Sequence, residues 1–539
     1  MRMLAAAFIS FIAAAAAAKT DEIPKDALAA SCCKCLQDAP ELDGNVHLPG
    51  SATYNARLSS YWSVSAGLPS WCIVLPRSSE HVSIIIKTLS KNQCNFGIRG
   101  GGHGAFPLAN SVEHGVTIDF GEQMLPNTYG GALLIRAWKG KMTTTTWNTE
   151  TKIASIQPGT HWQAVYETLA PLGVVVPGGR VSTVGVGGYL TGGGISFHQA
   201  SHGLACDNVV NFEVVLASGE IVNANASSYP DLWQALKGSS GNLGLVTRFD
   251  MNGIEYKNPA KPLMWGGNVA FKESSKDAIV EAVVSFTDNV HKDENSSVIL
   301  VWTYNPEISP EPMINAAMYN TEAQAKPSAF DGFFSADGIQ SDMTRITDMT
   351  ELTAELGFGQ VAGFYYVWYT SAFQSDARPV KYAVEKFAEL NKELEKVAPS
   401  SKSRLNTNLF FQPLSKSMTD KGTQNGGNVI GLERFTAHAN GLVLLVTASV
   451  KDAESERLIV PKLAKFMDDV DAYSASLRLK WDWRYLNYAR GDQDAIASYG
   501  ALSIGKIRAA ANKYDPKGVF QNLRASGFKI PEDFTKTEL

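Results

Sequence analysis

The chain has 539 residues, 45% of them hydrophobic and 19% charged, with a formal net charge of −5 at pH 7. That length supports two or three domains and a large core. The charge balance, with no basic stripe along the chain, argues against a nucleic-acid partner.

Residues 1–18 read as a secretory signal peptide. Met1-Arg2-Met3 carries one positive charge, Leu4–Ala16 is an apolar run too short to span a bilayer, and the alanine-rich end offers cleavage after Ala18. No later stretch reaches ~18 consecutive apolar residues, so no transmembrane helix and no membrane partner are expected. Secretion would make the sequons Asn225-Ala226-Ser227 and Asn295-Ser296-Ser297 usable. It would also let cysteines pair, and five of the six lie early in the chain: Cys32, Cys33, Cys35, Cys72 and Cys94. Cys-Cys-x-Cys with no second cluster makes a poor zinc site. Cys206 lies in the largely apolar stretch Gly203–Val210 and reads as a buried free thiol.

Trp71–Pro76 reads as a strand ended by proline. Ser78–Leu89 reads as an amphipathic helix with Ser78 as N-cap, because Val82, Ile85, Ile86 and Leu89 fall on one face. Cys94–Arg99 and Gly115–Phe120 read as strands. Between them lies Arg99-Gly100-Gly101-Gly102-His103-Gly104. A glycine loop between strands exposes backbone N–H groups, a nest suited to pyrophosphate. No G-x-G-x-x-G opens a helix here, so this is not a Rossmann fingerprint. Lys152–Ser155 is a predicted strand and Trp162–Leu169 a helix. Residues 177–194 read Pro-Gly-Gly-Arg-Val-Ser-Thr-Val-Gly-Val-Gly-Gly-Tyr-Leu-Thr-Gly-Gly-Gly. So much glycine resists a helix or an ordinary strand, and the backbone must approach something flat or charged closely. Asn211–Ala217 and Gly219–Ala224 form a predicted hairpin, Pro230–Lys237 a short helix, and Gly238–Phe249 a glycine turn into a strand.

Beyond about residues 253–262 glycine density falls and longer elements appear. Ser274–Val290, Pro379–Val397 and Glu454–Leu477 are predicted helices; Ser297–Tyr304, Phe364–Thr370 and His438–Val450 are predicted strands. This predicts an α+β domain, an antiparallel sheet with helices on one face. Phe364, Tyr366 and Trp368 share one strand face, with Tyr365 and Tyr369 on the other; aromatics at period two are ordinary core residues. The chain then reads Tyr485-Leu486-Asn487-Tyr488, a helix to about Asn512, and the turn Asp515-Pro516-Lys517-Gly518. No Ser-His-Asp order, His-Glu-x-x-His or Walker loop competes for the chemistry.

The two glycine stretches and the Tyr-x-Asn-Tyr element resemble the vanillyl-alcohol oxidase and p-cresol methylhydroxylase superfamily of flavoproteins. The closer likeness is to fungal berberine-bridge-enzyme-like FAD-linked oxidases, over Trp71 to Asp250 and Tyr485 to Phe528. The resemblance implies an α+β fold: a two-part FAD-binding domain of the p-cresol methylhydroxylase type, plus a substrate domain whose antiparallel sheet is covered by helices and carries substrate above it. The expected order is a cysteine-containing segment over 19–66, the FAD-binding domain over 67–253, the substrate domain over 254–480, and a C-terminal segment over 481–530 that returns to the flavin. In the related fungal proteins the N-terminal cysteines are tied to the flavin domain. Cys72 and Cys94 are therefore expected in disulfides, with partners among Cys32, Cys33 and Cys35 or with each other.

The resemblance also implies roles. His103 stands where the family histidine bonds covalently to the flavin 8α-methyl carbon. Val181 stands where some relatives carry the cysteine of a second link, so a single link is expected. Val184 stands at the oxygen gate, where valine accompanies oxidase behaviour. Arg99, Gly100, Gly101, Gly102, Gly104, Thr183, Gly185, Gly187, Gly188, Gly193, Gly241, Val246 and Asn487 are the other expected flavin contacts. Tyr488 is the first candidate base and Tyr485 the second; a phenol needs a nearby cation or the flavin's field to serve. The function so implied is that of a secreted, monomeric FAD-dependent oxidase. It would take hydride from a small alcohol or amine of secondary metabolism and be reoxidised by O2 to give H2O2. The alternatives are an oligosaccharide oxidase, whose relatives tend to carry the extra cysteine link, and a flavoprotein that binds a ligand without turnover.

Overall fold

The computed structural model describes residues 25–121, 142–259 and 263–532. The expected signal peptide over 1–18 lies outside the described residues. Three sheets organise the chain. The first has the strand order Val46–His47, Cys72–Val74, Val116–Asp119, Phe96–Arg99, the last three parallel to one another. Parallel strands need a crossover, and Ser79–Lys91 supplies the one from Cys72–Val74 to Phe96–Arg99, which flank Val116–Asp119. Ser78 caps this helix by accepting from the His81 N–H, and Val82, Ile85, Ile86 and Leu89 are all buried beneath it, as the spacing predicts.

The second sheet is antiparallel, in the order Thr145–Asn148, Ile153–Ile156, Leu245–Asn252, Val209–Val215, Ile221–Asn225. The predicted hairpin is its edge pair, in register from Asn211↔Asn225 to Val215↔Ile221. Helix Trp162–Leu169 packs Trp162, Val165, Tyr166 and Leu169 into the core of this half.

The third sheet has nine strands, pairing antiparallel throughout. At its centre Ser296–Tyr304, Asn406–Leu414 and Gly441–Val450 lie side by side, and Tyr365–Gln374 pairs with Gly441–Val450. Helices Lys276–Asn289, Ala377–Val397 and Ala453–Ser476 cover one face, where Ile279, Phe387 and Leu463 meet Leu300, Phe411 and Val446. The opposite face is left open to a cavity against the flavin-type half. Among the described residues no helix is long and apolar enough to cross a membrane.

Two features pin the N-terminal segment. Disulfides Cys32–Cys94 and Cys33–Cys72 tie helix Lys25–Gln37 to the first sheet. Peptide mapping without reduction should recover these two cross-links, with Cys35 alkylated by reagent and buried Cys206 protected until unfolding. Alkylated Cys72 or Cys94 in native protein would refute the pairing. The second feature is a buried ion cluster. Arg57 grips Asp119 with two bonds, Nε to Oδ2 at 2.7 Å and Nη2 to Oδ1 at 2.8 Å. Arg99 Nη1 lies 3.4 Å from the same carboxylate, and all three side chains are at most 1% exposed. Burial alone would raise the Asp119 pKa, but the two guanidinium groups outweigh it and hold the carboxylate below its ordinary value.

Candidate active site

The cavity lies between the two glycine stretches, the C-terminal segment and the open face of the third sheet. The glycine stretches touch. A Cβ on Gly101 would sit 2.4 Å from Gly185 Cα, and one on Gly185 the same distance from Gly101 N. Only two glycines let these backbones meet, and together they form one wall. A Cβ on Gly188 would meet nothing within 4 Å, so the chain leaves an open cradle there. The second stretch is not irregular throughout, contrary to its sequence reading: Val186–Thr191 is a short helix. Glycine weakens a helix. Here it brings the turn against Pro158, whose carbonyl oxygen would lie 3.1 Å from a Cβ on Gly187.

His103 stands where the two stretches meet. Its Nε2 is 3.1 Å from Thr183 Oγ1, and its ring stacks on Trp62, with centroids 4.3 Å apart and planes 12° from parallel. Burial lowers its pKa to about 4, so the ring is neutral near pH 7 and keeps a nitrogen lone pair. Trp62 in turn stacks on Tyr366 at 3.6 Å, and Trp368 meets Trp62 edge-on at 5.4 Å. The face of the aromatic strand that carries Tyr366 and Trp368 therefore forms cavity wall rather than core. Val367, Tyr369 and Phe373 take the helix-covered side.

The two candidate tyrosines differ. The Tyr485 oxygen accepts from Gly194 N at 3.0 Å, Ile195 N at 2.9 Å and Asn487 Nδ2 at 3.1 Å, in a site only 1% exposed. Burial pushes its pKa up, which disfavours the phenolate that a proton acceptor needs. Tyr485 therefore holds the glycine stretch in place and is a poor proton acceptor. The Tyr488 oxygen instead accepts from Gln412 Nε2 at 3.1 Å and Arg180 Nη2 at 3.2 Å. Arg180 also donates to Gln412 Oε1, so a cation, an amide and a phenol form one cluster on the cavity wall.

The other expected contacts divide in two. Gly100, Gly101, Gly102, Gly104, Val181, Val184, Gly185, Gly187, Gly188, Gly241, Val246 and Asn487 line the cavity. Thr183 meets it only through its bond to His103. Arg99 does not face it. Alternation along strand Phe96–Arg99 turns Ile98 to the cavity and Arg99 the other way, onto the Tyr61 ring at 3.8 Å and the Ser60 carbonyl at 2.9 Å. The glycine loop wraps this buried guanidinium: a Cβ on Gly102, at φ +74°, would lie 2.6 Å from Arg99 Nε. Gly193 is also displaced from the site. It packs on Ile430, and its carbonyl accepts from Cys206 N at 2.9 Å.

Residues 71–225 match the family model for an FAD binding domain. FAD-dependent monooxygenase drtC of Aspergillus calidoustus is 36% identical over 508 residues, 93% of this chain and 90% of that one. The chain belongs to the FAD-linked oxidoreductases. Its fold is shared with a solved berberine bridge enzyme in complex with (S)-reticuline, at a TM-score of 0.69 and 15% identity over 93% of this chain and 98% of that one. It is shared equally with glucooligosaccharide oxidase from Acremonium strictum, at a TM-score of 0.68 and 18% identity over 93% and 100%.

The residues of this oxidoreductase fit FAD. Gly188 offers open space on the cavity wall, and Asn110 Oδ1 is a buried acceptor on the glycine-loop side with no partner in the protein. Arg524, 2% exposed, lines the same side, and its guanidinium donates to the carbonyls of Phe520, Ser526 and Phe528 and to Asn242 Oδ1, which fixes the C-terminal segment against the glycine loop. Four residues of the site escape the sequence reading: Trp62, Arg180, Gln412 and Arg524. Arg180 sits inside the quoted glycine stretch, and a lone cation amid so much glycine is the one signal that could have marked it.

Proposed function

We propose that the protein is a secreted FAD-dependent oxidase whose flavin is held by one covalent link, through His103, and whose proton acceptor is Tyr488. The observation that carries this reading is the pairing of a neutral His103 ring with the Tyr488 oxygen in one cavity. FAD, when bound, supplies a two-electron acceptor for the substrate and a route onward to O2. The protein does the rest. The glycine stretches hold the cofactor, and the His103 nitrogen offers its lone pair for the link. A guanidinium and an amide N–H aimed at the Tyr488 oxygen support negative charge there, so that this oxygen can take the proton of a substrate hydroxyl or amine. The stacked rings of Trp62, Tyr366 and Trp368 keep water from one side of the cavity.

A small alcohol or amine fits better than an oligosaccharide. The glucooligosaccharide oxidase is described with a 6-S-cysteinyl, 8α-N1-histidyl FAD. Here Val181 lines the cavity, and among the described residues no cysteine does. Denaturing precipitation tests the link: flavin should stay with the protein, and His103→Ala should release it. Free flavin from the unmodified protein would sink the assignment. Turnover with an active substrate should release peroxide equimolar with product. Oxygen from labelled O2 appearing in the product would favour the monooxygenase chemistry named for drtC instead.

A further inference from the structure

The cavity carries polar atoms that nothing in the protein satisfies. Arg180 Nη1, Trp368 Nε1, Gln360 Oε1 and Asn406 Oδ1 are each buried, each without a hydrogen-bond partner, and each on a side chain that lines the cavity. Native structures carry few such atoms, and four in one cavity mark where a ligand completes the bonds. Either orientation of the two amides leaves a polar atom facing the cavity.

Arg180 is the most demanding of the four. It is 7% exposed and makes no ion pair among the described residues, whereas buried Arg57 and Arg99 share Asp119. Its Nη2 is spent on Gln412 and Tyr488, and its Nη1 is left for a ligand. A guanidinium cannot shed its proton to escape burial, and a buried unpaired charge is costly. Arg524 stands on the glycine-loop side of the same cavity, so Arg180 is a second cation, carried by the second glycine stretch and reaching Gln412 of the third sheet. Beside it lie the faces and edges of Trp62, Tyr366 and Trp368. A flat π-system packs on such a wall with offset or edge-to-face contacts.

Resting on the oxidase reading above, we propose that the substrate is a planar aromatic or conjugated molecule bearing an ionised oxygen, a carboxylate, phenolate or enolate, which pairs with Arg180 Nη1. Its ring lies against Trp368, and its remaining polar substituents meet Asn406 and Gln360. A neutral oligosaccharide would bring no charge to Nη1.

The holoprotein is titrated with hydroxynaphthoate, with its methyl ester and with cellobiose, followed by calorimetry and by the flavin absorbance band. The carboxylate should bind at least about tenfold more tightly than the ester, the size of one charge-assisted hydrogen bond, and cellobiose should not compete. Arg180→Met should erase that preference, and Arg180→Lys should keep part of it. Equal binding of acid and ester, or preferred binding of cellobiose, would overturn the proposal. So would an Arg180→Met protein that still prefers the acid but reduces its flavin slowly, since the cation would then serve the cofactor. If Arg180→Met does not fold, Arg180→Lys and the wild-type ligand pair decide. Peroxide release from the same samples reports separately on the oxidase reading, so failure of one is not failure of the other.

Discussion

Tyr488→Phe is expected to slow flavin reduction by substrate by about 10²–10⁴-fold, the usual contribution of a general base. The change removes one oxygen and keeps the ring, which lies edge-on to Trp368 at 5.9 Å and to Tyr485 at 4.8 Å. Arg180 and Gln412 keep their bond to each other, so the wall should hold its shape. Flavin loading should survive, because no glycine and no contact of His103 is altered. Reaction of the reduced protein with O2 should also be unchanged, since Val184 and the loops stay in place. Stopped-flow spectrophotometry separates the two half-reactions. Reduction at the normal rate would remove Tyr488 from the mechanism. Tyr485 is a poor replacement because its burial disfavours a phenolate, so the base would then be sought on the third sheet.

Asp119→Ala should destabilise the fold by about 3–5 kcal/mol, the range for removing one partner of a buried ion pair. The reason is the asymmetry of the cluster: one carboxylate serves Arg57 and Arg99, and its loss strands both guanidinium groups out of water. The effect should reach the cofactor. Asp119 Oδ1 also accepts from Gly121 N at 2.9 Å, and Arg99 is the post around which the His103 loop is wound. Denaturant unfolding measures the loss, and flavin content reports the loop. The pH dependence has a definite sign. Because the folded carboxylate titrates below its unfolded value, its contribution is fully present above the ordinary aspartate pKa. It fades as pH falls through the lower folded value. An Asp119→Ala protein should therefore lose less stability on acidification than the parent. Equal loss would show that the cluster does not govern acid stability.

By itself the sequence determined the elements whose patterning is local. Trp162–Leu169 and Ser79–Lys91 bury their apolar stripes at helical spacing, and their ends fall within two residues of the reading. The hairpin over 209–225 follows from β-branched alternation around one turn. His103 and the glycines about it were legible because glycine-rich backbone has few other uses. Strands Leu263–Phe271, Met313–Asn320 and Asn406–Leu414 were not assigned, for a common reason. The third sheet turns one face to a cavity, so Asn406, Asn408 and Gln412 alternate with Leu409 and Phe411, while Gly266, Gly267 and Pro413 weaken the strand signal further.

The rest was decided by tertiary structure. Arg180 meets Gln412 across 232 positions and Tyr488 across 308, and Trp62 reaches His103 from a segment with no motif at all. Tyr485 and Tyr488 are the same residue type three positions apart. Only the contacts of their oxygens separate them, one held by the glycine stretch and the other by a cation and an amide. Spacing along the chain carries the period of a helix or a strand. Which polar atom is left facing a cavity depends on every surface that closes around it, and those surfaces come from segments hundreds of residues apart.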